Sequence, residues 1–199
     1  MPPVTTALIV ANVAMYLLQS LVPQIIVPFA LWPLAAAGSG IGASFAPWQL
    51  VTYAFLHGSL VHLAFNMFAL YMFGSDIERL FGSRFFLLYY LACVVAAAAT
   101  HLAITSFMGA AAGPTIGASG GMFGLLLAFG WYFPHRRVLL LFPPIPLPAR
   151  VFVFGFALLE LFFGITQTAA GVAHFAHLGG MLGGWLMIQY RRRGFPFGK

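Results

Sequence analysis

Charge is what this sequence has least of. Asp, Glu, Lys and Arg make up 6% of its 199 residues, against roughly 25% in a soluble domain. Carboxylates are scarcest: Asp76, Glu78 and Glu160 are the full set. With 62% of residues hydrophobic, such a chain has too little polar surface to stay dissolved, so lipid is its solvent. A lone cysteine, Cys93 in an apolar run, excludes a disulfide and any cysteine-based metal cluster and reads as a packing residue.

The few charges that exist are unevenly spread. None precedes Asp76, none lies between Phe85 and His135, and only Glu160 interrupts the stretch from Val151 to Tyr190. A spanning helix needs about 20 residues, so each block holds two spans and a loop. The reading is an all-α polytopic membrane protein of six transmembrane helices, built as one domain over residues 1–199. Every hairpin returns the chain to the side it left. The cations Arg79, Arg84, Arg136, Arg137, Arg150, Arg191, Arg192, Arg193 and Lys199 therefore share one face. The positive-inside rule makes that face cytoplasmic and puts both termini there. The basic pI then reports topology, and nucleic acid is not a partner. An inner, cytoplasmic bacterial membrane is the expected residence. The opening "MPPVTTALIVANVAMYLLQSLV" lacks a basic start and is long enough to span, so it reads as a first helix and not a removable leader.

The expected helices cover about residues 4–22, 59–75, 84–106, 117–133, 149–167 and 173–190. A long apolar outer loop fills residues 23–57, and a basic tail fills 191–199. Asp76 and Glu78 fall beyond the second helix; "FPPIPLPAR" belongs to the cytoplasmic connection before the fifth.

Polar residues inside these spans are costly and usually functional. The second, fourth and sixth helices start on the outer face. His62 and Asn66 lie on one face of the second, at i and i+4. Ser119 opens the fourth, and His174 and His177 open the sixth. At 1.5 Å per residue, all lie in a layer roughly 5–10 Å below the outer helix ends. A serine hydroxyl needs a base, and histidine is the usual one. Asn and His side chains with backbone N–H groups can steady an oxyanion. Glu160 is expected mid-span, hydrogen-bonded to another helix in a structural role. No acid is expected in the outer layer, which leaves a Ser-His dyad with either His174 or His177.

Three motifs surround these residues: "HGSLVHLAFNMF", "GASGGMFG" and "AHLGGMLGG". In this order they resemble the H-x-x-x-N, G-x-S-G-x-x-x-G and A-H-x-x-G-x-x-x-G patterns of rhomboid intramembrane serine proteases, in their bacterial six-helix form. "WQLVTYAFLHGS" and "DIERLFGSRFFLLYYL" fit the flanking pattern. The resemblance implies Ser119 as nucleophile and His177 as base, since the spacing to Gly180 fits His177 alone. It implies an oxyanion held by the Ser119 N–H with His62 and Asn66. Gly117 and Gly120 would let the chain pass closely around the serine, while Gly121, Gly124, Gly180 and Gly184 would let the fourth and sixth helices approach. His174 is left to packing or a local hydrogen bond and His57 to structure; His101 and His135 receive no catalytic role. The substrate would be another transmembrane segment entering sideways between helices 2 and 5, with Phe65, Phe152 and Phe156 as candidate gates.

No cofactor and no metal is expected. Three rivals share the composition. A non-proteolytic rhomboid-like chaperone would use the same scaffold, although such relatives typically lack the serine or histidine. A zinc site could use His62, His174 and His177, but no H-E-x-x-H is present. A small transporter would need broken helices or an inverted repeat, and neither is visible.

Overall fold

The computed structural model describes residues 1–34, 44–107, 113–140, 144–166 and 173–193. Helix α1 (Pro3–Leu21) begins with proline at its first position, where the missing N–H costs nothing. Short helical turns follow at Pro23–Ile25, Ile26–Phe29 and Gln49–Thr52, before the next long helix. Gln49 binds this segment together: its Oε1 accepts from the Trp32 N–H, and its Nε2 donates to the carbonyls of Ser44 and Pro28.

Helix α2 starts at Leu60, because Ser59 is extended and its hydroxyl accepts the His62 N–H at 3.1 Å. This is an ordinary N-cap. The helix passes through a wider π turn at Leu70–Gly74 and continues as Ser75–Phe81. It is therefore longer than the sequence reading allowed. Asp76 and Glu78 lie in its last turns and not beyond it. Gly82, at φ +77°, ends it, as a left-handed residue after a helix commonly does.

Helix α3 (Ser83–Phe107) follows at once. Helix α4 (Ser119–Tyr132) starts two residues later than the spacing predicts, because Gly117 is held at φ +128°. A two-stranded antiparallel hairpin, β1 (Arg137–Leu139) with β2 (Pro146–Pro148), joins α4 to α5 (Ala149–Thr166). The all-α expectation missed this hairpin. Its prolines are tolerated because both strands are edges. Helix α6 (His174–Arg192) closes the bundle.

Four of these elements are long and apolar enough to cross a membrane: Pro3–Leu21, Leu60–Phe81, Ser83–Phe107 and Ala149–Thr166. Large apolar side chains point outward from them, such as Val10, Leu17, Phe154 and Ile165, each at least 60% exposed. In lipid that is the favourable arrangement. Helix α4 has 14 residues and is about 21 Å long, short of a bilayer's roughly 30 Å hydrocarbon core.

Polar side chains gather one end of the bundle. Glu78, 2% exposed, accepts from the backbone N–H groups of Val4 and Thr5 and from the hydroxyls of Thr5 and Ser83, all within 2.7–3.0 Å. Asp76 pairs with Arg79 and Arg136. Arg191 donates to the Leu80 carbonyl and lies over the Phe81 ring.

Candidate active site

Doubled glycines in "LGGMLGG" supply α6 with two thin faces, one turn apart along each. Gly179 and Gly183 meet α3: a β-carbon on Gly179 would lie 2.5 Å from Thr100, and one on Gly183 2.5 Å from Ala96. Gly180 and Gly184 meet α4: a β-carbon on Gly180 would overlap the Gly120 carbonyl, and one on Gly184 would lie 3.2 Å from the Gly124 carbonyl. Gly120 and Gly124 in turn have no room for a side chain against Ala97 and Cys93 of α3. Gly121, expected to face the sixth helix, instead faces the Tyr90 ring of α3 at 2.5 Å by the same measure. The seam between α4 and α6 is thus backbone on backbone. The sequence reading named Gly180 and Gly184 but not the second face.

The seam brings Ser119 and His177 together. Ser119 Oγ lies 2.8 Å from His177 Nε2. Ser119 is the first residue of α4, so its N–H has no acceptor within the helix. The segment leading into it is tied three times. Thr115 forms a two-bond bridge with Leu31, its hydroxyl meets His101 Nε2 at 2.8 Å, and the Gly117 N–H donates to the Tyr53 carbonyl at 2.9 Å. His101, given no role from sequence, is part of this mounting.

His62 comes to the serine through Gly117. A β-carbon there would lie 2.9 Å from His62 Nε2 and 3.8 Å from Ser119 Oγ. A methyl there would push the His62 ring away, so only glycine lets the ring come this close to the serine. Asn66, buried, donates from Nδ2 to the His62 carbonyl at 2.9 Å. The amide carries a second hydrogen that this bond does not use. His57 packs edge-on against His62, with ring centroids 5.0 Å apart, and exchanges two backbone hydrogen bonds with the Gln19 side chain. Its structural reading fits these contacts.

Phe123, one turn into α4, stacks on the His177 ring at 4.2 Å and 8°. Sequence reasoning passed over it because phenylalanine is so common here, 22 in all. Of the candidate gates, Phe156 lies 6.4 Å from Phe123 and 4.6 Å from Phe152. Phe65 projects outward from α2, 57% exposed.

The expectation that no acid shares this layer is overturned. Glu160 Oε2 lies 2.6 Å from His174 Nδ1 and 2.9 Å from His177 Nδ1. The first contact is a hydrogen bond, which bears out the expected tie from Glu160 to another helix. The second has the distance of an ion pair, but the N–H direction of His177 falls off the oxygen. Counting residues gave the depth of the Glu160 backbone; it ignored the reach of a long side chain toward a ring that extends to meet it. One turn further along α5 is Gly164, where a β-carbon would lie 3.2 Å from Phe175 and 3.4 Å from His174. That thin spot lets α5 lie close to α6 at this level.

The three donor atoms of Glu160, His174 and His177 lie within 4.8 Å of one another. This trio replaces the His62, His174 and His177 set that the sequence suggested for zinc. Tetrahedral zinc with bonds near 2.0–2.1 Å would hold its ligand atoms roughly 3.3 Å apart. The direct contacts here are shorter, as hydrogen bonding requires.

Comparisons with known proteins identify the family. The family model described as the rhomboid domain matches residues 44–194. Rhomboid protein 1, mitochondrial, of Saccharomyces cerevisiae is 32% identical over 150 residues, covering 71% of this chain and 41% of that protein. Rhomboid protease GluP of Bacillus subtilis is 31% identical over 138 residues, covering 69% and 25%. The human presenilin-associated rhomboid-like protein, mitochondrial, is 33% identical over 156 residues, covering 73% and 38%. The chain thus matches less than half the length of each of these relatives. Most of its length, from residue 44 through α6, is the matched domain, and the chain belongs to the rhomboid family.

Proposed function

We propose that this protein is an intramembrane serine endopeptidase that cuts transmembrane segments of other proteins with a Ser119–His177 dyad. The observation that carries the reading is the 2.8 Å contact between Ser119 Oγ and His177 Nε2 on a glycine-backed seam. His177 takes the hydroxyl proton as Oγ attacks the scissile carbonyl, then gives it to the leaving amine. Water completes the cycle on the acyl-enzyme. The oxyanion is held beside Ser119, with the Ser119 N–H, His62 and Asn66 as donors. Each such donor contributes about 10²–10³-fold to kcat.

Residues 1–199 form one membrane domain of six spans with the cationic end and both termini in the cytoplasm, so the dyad opens to the opposite side. Because α4 is short, Ser119 lies roughly 9 Å inside the hydrocarbon layer, where the substrate must unwind to expose a carbonyl. A segment with small residues at the scissile bond fits a site framed by glycines. It enters between α2 and α5, past Phe65, Phe152 and Phe156. The relatives come from mitochondria and from a bacterium, so they do not single out the bacterial inner membrane that the arginine bias suggests.

The test is cleavage of a single-pass substrate in liposomes by wild type, Ser119→Ala and His177→Ala. Wild type should cut, and each variant should lose at least about 10³-fold in kcat while remaining folded. Equal cutting by all three would overturn the assignment. No cutting, with Ser119 unlabelled by a fluorophosphonate, would favour the helix-binding, non-proteolytic relative.

A further inference from the structure

Glu160 is a carboxylic side chain on a stretch of α5 that otherwise turns mostly outward. Its neighbours Leu158, Leu159, Leu161 and Phe162 are 42–57% exposed, yet its own side chain is 12% exposed. A carboxylate within a span is costly unless it is paired. Here its partners are two imidazoles, one of them bonded to the candidate nucleophile. We infer that Glu160 is a positioning residue for His177, extending the dyad to Ser119–His177–Glu160; the inference rests on the protease reading above.

An ionised carboxylate accepts hydrogen bonds and donates none. With Oε2 facing Nδ1 of both rings, each imidazole carries its hydrogen on Nδ1. For His177 that tautomer leaves Nε2 bare, which is what a base facing a serine hydroxyl must present. The stacked Phe123 ring fixes the plane of the imidazole, and the carboxylate selects its tautomer. His174 Nδ1 holds the same Oε2 at 2.6 Å. The off-line N–H of His177 needs only a turn of the carboxylate about its terminal torsion, which is soft. Hydrogen bonds of this kind commonly tighten when substrate binds.

During reaction, Ser119 Oγ bonds to the carbonyl carbon while its proton moves to Nε2. The Nδ1 hydrogen stays on the ring, which is now an imidazolium beside an ionised Glu160. The Nε2 proton then leaves with the amine as the C–N bond breaks. Glu160 gains and loses no proton; its charge stabilises the imidazolium and its lone pair holds the ring.

Glu160→Gln tests this, because it keeps shape and removes charge. We expect kcat to fall about 10²-fold with KM within about 3-fold of wild type, and fluorophosphonate labelling of Ser119 to slow in parallel. In ¹⁵N spectra of ring-labelled protein, His177 should show the Nδ1–H form in wild type and a mixture in the variant. The nitrogen spectrum needs no substrate, so it reads the hold on His177 even if Ser119 proves unreactive and the protease reading fails. A kcat within about 3-fold of wild type would overturn the inference. So would an unchanged His177 tautomer, with the loss appearing only in KM or thermal stability. Zinc bound by wild type and lost in Glu160→Gln, with cleavage unaffected, would assign the trio to a metal and also overturn it.

Discussion

Two seams meet at the site, and they are built differently. Between α4 and α6 the contact is backbone on backbone, and nine of the fourteen residues of α4 are buried. Between α5 and α6 the contact is through side chains, and only Ala149, Val153 and Gly164 of the eighteen residues of α5 are buried. Lipid offers no hydrophobic drive between helices, so close packing and hydrogen bonds decide association. The first seam relies on close packing; the second relies on Glu160 and a few aromatic rings. Ser119 and His177 thus sit on the more closely packed of the two seams. The wall a substrate would have to pass is joined more lightly.

Gly180→Ala should break the tight seam most completely. The added methyl meets the Gly120 carbonyl, and backbone cannot turn aside as a flexible side chain can. A loss of about 3 kcal/mol or more is expected, with activity lost as well; thermal unfolding in detergent and liposome cleavage measure both. Gly117→Ala comes next. Its methyl would displace His62 at a backbone angle that suits glycine, so kcat should fall about 10²-fold. Ser119 should still take up a fluorophosphonate, and that separates damage at His62 from damage to the Ser119–His177 pair. On the loose seam, Phe156→Ala should cost about 1–2 kcal/mol at most, since the ring is only half-buried. Leu158→Ala, lipid-facing at 50% exposure, should stay within about 0.5 kcal/mol of wild type in unfolding assays. If it cost as much as Gly180→Ala, the contrast between the seams would be wrong.

Sequence patterns exposed the tight seam better than the loose one. The order and depth of His62, Asn66, Ser119 and His177 could be worked out because helical rise is regular and charge-free blocks mark the spans. The close approach of α4 and α6 was written in the spacing of Gly124, Gly180 and Gly184; the part expected of Gly121 falls to Gly120. Glu160 escaped because its reach depends on χ angles and on how near Gly164 lets α5 come, and neither has a linear signature. The late start of α4 escaped because the positive φ of Gly117 is fixed by contacts with Tyr53 and His62, both distant in sequence. The strands at Arg137–Leu139 and Pro146–Pro148 escaped because three residues carry too little alternation to register.

Helix α1 lies outside the matched 44–194 region, yet it is fastened at both ends by polar groups within that region. At one end Glu78 holds the N–H groups of Val4 and Thr5; at the other, Gln19 exchanges hydrogen bonds with the backbone of His57. Its removal would strand a buried carboxylate at one end and bare the backbone beside His57, the residue on which His62 rests, at the other. The family boundary is therefore not a boundary of modularity: a piece trimmed to it would lose part of the support beneath His62.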